Sequence, residues 1–152
     1  MRQLTKPSSP RSILLVVSGV CQGPHGPGGW GYVTFDPNGV ERTGQGAAPE
    51  TTANRMELLA AIEGLKALAG KSRVTPVRVV SASQYLVEGA KGTRERRANP
   101  DLWAKLDAET RKRPVTWEWE PPNTMLYQAQ AYELARLALR HALKPGPPAE
   151  AP

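Results

Sequence analysis

The chain has 152 residues and a formal net charge of +6, because 20 Lys and Arg residues outnumber 14 Asp and Glu residues. This length suits one domain of ordinary size, and the charge is typical either of a protein that binds polyanions or of an ordinary solvated surface. Cys21 is the single cysteine, which excludes an intrachain disulfide and a multi-cysteine zinc site. No apolar run approaches the roughly 20 residues of a membrane span, so we expect no membrane partner.

Composition divides the chain into three parts. Residues 1–11 are polar and contain Pro and Ser, which predicts a flexible N-terminal arm; they lack the apolar core of a signal peptide, and we expect a cytoplasmic protein. Residues 12–144 alternate strand-like and helix-like patterns and predict one domain. Residues 145–152, "PGPPAEAP", predict a disordered tail, since Pro and Ala in this pattern cannot build a core.

The first half of the domain predicts three antiparallel strands in succession. The run "SILLVVS" predicts a buried strand over Ser12–Ser18. Alternating apolar and polar residues predict a second strand over Gly29–Asp36, and the turn sequence "PNG" separates it from a third over Val40–Gln45.

The remaining elements alternate between helices and strands. Helix-forming residues with helical spacing predict helices over 51–68, 84–89, 99–112 and 127–144. Two further strands are predicted over Pro76–Ser81 and Val115–Glu120, the second with Trp117 and Trp119 on one face. The order β-β-β-α-β-α-α-β-α predicts an α/β fold, in which a five-stranded mixed sheet has three antiparallel strands, then two parallel ones, and helices on both faces.

Several ordered motifs resemble the bacterial type 1 ribonuclease H family. The matching stretches cover about residues 12–143 and are "SGVCQGPHGPGGWG", "TTANRMELLAAIEGLKAL", "SASQYLVEG", "NPDLWAKLDA", "VTWEW" and "YELARLAL". A series of motifs in consistent order is far more specific than any one of them alone. The resemblance implies the ribonuclease H-like fold and an enzyme that cleaves the RNA strand of an RNA–DNA hybrid with two Mg²⁺ ions.

The four carboxylate positions of that family fall on Ser18, Glu57, Ala82 and Tyr132. Only Glu57 is acidic, and the segment "EPPNTML" lacks the histidine that the family carries before its last helix. Two Mg²⁺ ions carry four positive charges and need converging carboxylates, whereas a hydroxyl, a methyl group and a phenol add no charge at neutral pH. We therefore expect a degenerate catalytic site with no bound metal and no Mg²⁺ cofactor.

Two other acids are candidates to rebuild a metal site. Glu120 follows the last predicted strand and can lie near Ser18, whereas Glu133 lies about 100° around the helix from Tyr132. The plainer interpretation is that both are solvated or salt-bridged surface acids. If Glu120 does rebuild the site, the chain is an active ribonuclease H.

The resemblance also implies residues that contact nucleic acid. The family's contact positions that keep suitable side chains here are Cys21, Thr52, Asn54, Gln84 and Tyr85. The short segment at 90–100 replaces a basic helix found in many members and offers Arg94, Arg96 and Arg97 for phosphate contacts. Each of these residues also has a purely structural interpretation. Asn54 and Gln84 can serve as helix caps, Tyr85 can pack at the edge of the core, and Cys21 can be a small buried residue. The arginines can simply lie in a solvated loop.

Two non-enzymatic functions are therefore alternatives to ribonuclease H activity. In the first, the domain binds an RNA–DNA hybrid or duplex without cleaving it. In the second, the former catalytic face, made more apolar by Ala82 and Tyr132, docks a protein or forms a homodimer.

Overall fold

The computed structural model describes residues 11–143 of the chain. The predicted N-terminal arm, apart from Arg11, and the predicted tail over 145–152 lie outside the described residues. Within the described part, no helix is long and apolar enough to cross a bilayer.

A mixed five-stranded sheet forms the centre of the fold. Its strands are β1 (Ile13–Cys21), β2 (Gly28–Phe35), β3 (Glu41–Ala48), β4 (Val77–Ser81) and β5 (Val115–Trp119). They lie in the order β3-β2-β1-β4-β5, with β2 antiparallel to both β1 and β3, and β4 parallel to both β1 and β5. This confirms the predicted sheet, and its strand order follows from the hairpins and crossover helices that join the strands.

Four helices cover the two faces of the sheet, as predicted. They are α1 (Ala53–Lys66), α2 (Gln84–Lys91), α3 (Pro100–Thr110) and α4 (Leu126–Leu143). Alternate side chains of β1 separate two cores, since Ile13, Leu15 and Val17 pack with α1, α2 and α3, whereas Leu14 and Val16 pack with α4.

The predicted elements have the right type and order, but several differ in length. β1 continues to Cys21 instead of ending at Ser18, because its ladder with β2 runs on to the pair Cys21–Gly28. β3 likewise continues to Ala48, paired with Gly28. α1 begins later than predicted, because the Thr52 side chain accepts a hydrogen bond from the Arg55 N–H and caps the helix there.

The parallel strands bring three chain segments to one edge of the sheet. Val16 of β1 pairs with Val80 of β4, which in turn pairs with Glu118 of β5. Two residues farther along, Ser18 lies on β1, and Ala82 and Glu120 directly follow the last residues of β4 and β5. Ser18 points toward the face that α4 covers, because Val16 packs there.

A glycine lets α4 lie close to the sheet. A Cβ on Gly31 of β2 would lie 2.6 Å from the carbonyl oxygen of Ala131 and 2.8 Å from the amide nitrogen of Ala135. These atoms belong to the backbone of α4, so they cannot move aside as the end of a side chain can. Gly31, together with Gly29, where an added Cβ would likewise meet the α4 backbone, therefore permits the close packing of α4 on β2.

We predict that Gly31→Ala destabilises the protein by about 1–3 kcal/mol, because the added methyl group overpacks the interface between β2 and α4. The measurement is the midpoint of urea unfolding. Gly70→Ala is the matched control, since a Cβ there meets nothing within 4 Å. Equal midpoints for the two variants would contradict this account of the packing.

Candidate functional site

A cavity of about 310 Å³ opens at the sheet edge where β1 and β4 end. It is lined by Val17, Ser18, Ala82, Pro122, Asn123, Gln128 and Tyr132. Three of the four positions that the family resemblance assigned to catalytic carboxylates thus share one cavity. All the lining side chains are uncharged groups.

The fourth position, Glu57, lies beside this cavity and is fully hydrogen-bonded. One carboxylate oxygen accepts a hydrogen bond from the Gly19 N–H at 2.9 Å, and the other accepts one from the Ser81 hydroxyl at 3.3 Å. Gly19 and Ser81 are the direct neighbours of Ser18 and Ala82 in the chain. The structure therefore brings together all four positions, with one carboxylate among them.

Burial raises the pKa of Glu57 from 4.5 to about 7, although the hydrogen bonds from Gly19 and Ser81 act in the opposite direction. A carboxylate in a cluster of other acids would have its pKa raised by their negative charges. Here no charged neighbour contributes to the increase, which comes from the loss of water around the group.

The segment between β5 and α4 forms the wall opposite β1. The Gln128 amide donates to the Glu120 carbonyl at 3.0 Å and accepts from the Thr124 backbone N–H at 3.2 Å. The Thr124 hydroxyl also donates to the Pro121 carbonyl at 2.6 Å. These bonds hold Asn123 in a left-handed conformation, with φ of 64°, at the cavity wall.

Neither alternative acid lines the cavity. Glu133 is exposed and pairs with Arg136, as the surface interpretation predicted. Glu120 is not a surface acid, since it is buried. Its N–H donates to the Ser81 carbonyl and extends the pairing of β4 with β5. Within residues 11–143, no group of three or more His, Cys, Asp or Glu side chains is placed to hold a metal ion.

Trp119 is a residue of this site that sequence analysis did not single out. Its indole N–H donates to the Ala82 carbonyl at 3.0 Å, which places the ring beside the cavity, and the residue is 40% exposed. Tyr132 is 49% exposed. The alternation in β5 gave Trp117 and Trp119 the same face, but only Trp117 reaches the core, because Trp119 lies at the end of the strand. The alternation of side chains in β5 was therefore the one feature of the sequence that could have drawn attention to Trp119.

The predicted contact residues near the starts of α1 and α2 fall into two groups. Thr52 caps α1, and the Cys21 thiol donates to the Thr51 carbonyl at 3.3 Å, so both are engaged within the protein. Asn54 and Gln84 are exposed in the first turns of α1 and α2, and neither side chain has a hydrogen-bond partner within residues 11–143. They are not helix caps, because Thr52 and Ser83 fill that role.

Tyr85 and Arg96 join the short basic loop, residues 92–99, to α3. The Tyr85 hydroxyl accepts from the Asn99 amide at 2.9 Å and the Trp103 indole at 3.2 Å. The Arg96 guanidinium lies 4.2 Å from the ring centroid of Trp103 and forms two hydrogen bonds with Asp107, at 2.6 and 3.0 Å. Both side chains therefore stabilise the loop.

Arg94 and Arg97 leave more of their side chains in solvent. Arg94 pairs with Glu88 at 3.4 Å, and Arg97 pairs with Glu95 at 3.2 Å with 84% of its side chain exposed. Exposed pairs of this kind are weak, so both guanidinium groups are available to a polyanion.

The buried Glu57 carboxyl makes stability depend on pH. Because its folded pKa of about 7 exceeds the unfolded value of 4.5, its contribution is fully present below pH 4.5 and is lost as the pH rises through 7. We predict that Glu57→Gln is more stable than the parent at pH 8 by on the order of 1–3 kcal/mol. Its amide oxygen can accept from the Gly19 N–H, and its amide NH2 can donate to the Ser81 hydroxyl oxygen. Urea unfolding at pH 4 and pH 8 measures this, and a deficit at pH 8 would refute it.

Arg96 and Arg97 give a matched pair of loop variants. We predict that Arg96→Ala lowers the free energy of unfolding by about 1–2 kcal/mol, since it removes both the ring contact and the pair with Asp107. Arg97→Ala should change it by less than about 0.5 kcal/mol. Thermal and urea unfolding compare the two, and equal effects would mean that Arg96 does not hold the loop.

Comparison with known proteins agrees with the motifs and the topology. The family model for RNase H matches residues 10–136. Ribonuclease H of Pseudomonas entomophila is 40% identical over 121 residues, which cover 71% of this chain and 79% of the relative. Ribonuclease H of Stutzerimonas stutzeri is 37% identical over 125 residues, which cover 74% of this chain and 80% of the relative.

Solved structures show the same architecture. LC11-RNase H1, in complex with an RNA/DNA hybrid, superposes with a TM-score of 0.79 at 26% identity, over 88% of this chain and all of that one. The N-terminal RNase H domain of a Mycobacterium tuberculosis protein has a TM-score of 0.73 at 25% identity, over 86% of this chain and 96% of that one. The resemblance in the motifs is thus confirmed, and the chain belongs to the bacterial type 1 ribonuclease H family.

Proposed function

We propose that this chain is a ribonuclease H domain that binds an RNA–DNA hybrid or duplex without cleaving it. The observation that carries the proposal is the uncharged lining of the cavity at Ser18, Ala82 and Tyr132. Only Glu57 offers a carboxylate there, and both its oxygens already accept hydrogen bonds.

This set of donors does not fit the two Mg²⁺ ions on which the family depends. Mg²⁺ requires near-octahedral oxygen ligands, and two ions about 3.5–4 Å apart need several carboxylates to balance their charge. Ala82 supplies no ligand atom, and the hydroxyls of Ser18 and Tyr132 bring no charge. We therefore assign no Mg²⁺ cofactor to this cavity and derive no hydrolytic step at it.

The capacity to bind is argued from other residues. Asn54 and Gln84 present free amide side chains at the starts of α1 and α2, beside the Glu57 and Ser81 that border the cavity. Arg94 and Arg97 add positive charge on the short basic loop, and such contacts give salt-dependent binding with little base preference. The structural relative LC11-RNase H1 is recorded with an RNA/DNA hybrid.

Two further parts of the proposal concern the whole chain. We assign one ribonuclease H domain to residues 12–144. We place the protein in the cytoplasm, where its single Cys21 would stay reduced. The exposed rings of Trp119 and Tyr132 support a second candidate, a protein partner or homodimer on the same face.

Binding is tested by fluorescence anisotropy with a labelled hybrid, DNA duplex and each single strand at two salt concentrations. We expect weak hybrid binding with a slope of log affinity against log salt near −2 to −4, which corresponds to a few phosphate contacts. Arg94→Ala with Arg97→Ala should flatten that slope by about 1–2. Gln84→Ala should weaken binding with the slope unchanged, because it removes a neutral contact.

Arg42→Ala with Arg73→Ala is the matched control, since it removes the same charge from exposed positions outside the basic loop. Cleavage is measured in parallel with Mg²⁺ or Mn²⁺, and we expect none. No hybrid binding at low salt would favour the protein partner. Cleavage that Glu57→Gln abolishes would overturn the non-catalytic assignment.

A further inference from the structure

We propose that the cavity between β1, β4 and α4 receives one unpaired nucleobase. This inference rests on the proposed function in taking nucleic acid as the partner. It adds a site and a preference: the protein should favour a hybrid with an unpaired nucleotide over a fully paired hybrid.

The cavity has the size and the chemistry for a neutral planar molecule. Its volume of about 310 Å³ lies at the lower end of the range for small-molecule sites. Ser18, Asn123 and Tyr132 line it, and none of their side chains has a hydrogen-bond partner within residues 11–143. Together they offer donors and acceptors, which match the edge of a nucleobase.

A phosphate is a poor occupant of the same space. No Lys or Arg lines the cavity. The Glu57 carboxyl bonds to Gly19 and Ser81, the chain neighbours of the lining residues Ser18 and Ala82, and its negative form would repel an anion. The uncharged base of a nucleotide avoids this repulsion, while its phosphates stay outside, within reach of solvent-exposed cations.

Aromatic rings at the cavity supply stacking surfaces. Trp119 is fixed beside it by the hydrogen bond from its indole to the Ala82 carbonyl, and the Tyr132 ring lines it directly. Both are substantially exposed although they are large and partly apolar. Bases of every kind stack on such rings, so the site should be tolerant of sequence.

The walls of the cavity are already formed in the free protein. Gln128 ties the segment 120–124 together through bonds to Glu120 and Thr124, and Val17 is buried in the sheet. A preformed site loses little conformational freedom on binding. A paired base must first break its pair and unstack before it can enter the cavity, which costs free energy. An unpaired base does not carry the cost of breaking a pair.

The first experiment titrates the free nucleosides adenosine, guanosine, cytidine and uridine and follows backbone amide resonances. We expect saturable shifts centred on Ser18, Ala82 and Tyr132. Ala82→Leu should abolish them, because the larger side chain fills the cavity. Ala104→Leu is the matched control, since Ala104 is exposed in the middle of α3. Ser18→Ala, a milder change, should weaken binding several-fold and remains informative if Ala82→Leu misfolds.

The second experiment compares three hybrids: one fully paired, one with a single unpaired fluorescent purine analogue, and one with an unpaired abasic residue. We expect the unpaired base to bind about tenfold more tightly than the other two, a gain typical of one stacked base. Its fluorescence should be quenched on binding. Ala82→Leu should remove both the gain and the quenching and leave affinity for the paired hybrid unchanged.

The outcomes separate this inference from the proposed function. Equal affinity for the three hybrids, together with no nucleoside shifts at millimolar concentration, would overturn the inference and leave hybrid binding intact. Nucleoside binding with no hybrid binding would support the cavity assignment and remove the proposed function. Shifts that persist in Ala82→Leu would place the nucleoside elsewhere and also overturn the inference.

Discussion

The link between Glu57 and the two strand ends determines how the site is built. Glu57 lies on α1, which packs against one face of the sheet. The Glu57 carboxylate accepts hydrogen bonds from Gly19 on β1 and Ser81 on β4. The approach is close enough that a Cβ on Gly19 would lie 2.6 Å from the Met56 carbonyl carbon. Glu57 thus joins three elements through two hydrogen bonds. This structural role does not depend on the negative charge, since a Gln at the same position could link the same elements.

Much of the fold could be predicted because the periodicity of each segment and the order of the segments along the chain indicate the same strands and helices. The alternation in β1 assigns Leu15 and Leu14 to opposite cores, and the cap at Thr52 fixes the start of α1. The lengths of β1 and β3 were less predictable, because a ladder that extends to Cys21 and Ala48 depends on pairing with distant Gly28. Periodicity within one segment carries no information about how far its partner continues.

The positions of the candidate site could be predicted, but several side-chain roles could not. Ordered motifs placed Ser18, Ala82 and Tyr132 together, and the cavity contains all three. Arg96 looked equivalent to its basic neighbours in sequence, whereas the structure stacks it on Trp103 and pairs it with Asp107. Such contacts join residues whose proximity depends on how α2 and α3 pack. Glu120 is likewise buried beside β4, a strand far from it in sequence order.

Catalysis and recognition make different demands on this sheet edge. A two-metal centre needs several negative charges to converge within a few ångströms, and such a cluster is tolerated only because the metals neutralise it. Ser18, Ala82 and Tyr132 carry no such mutual repulsion, and they line a cavity with neutral donors and exposed rings. In the function proposed above, contacts to a nucleic-acid backbone depend instead on side chains outside this cluster, such as Gln84 and Arg97. The two sets occupy different elements, so one can change without dismantling the other.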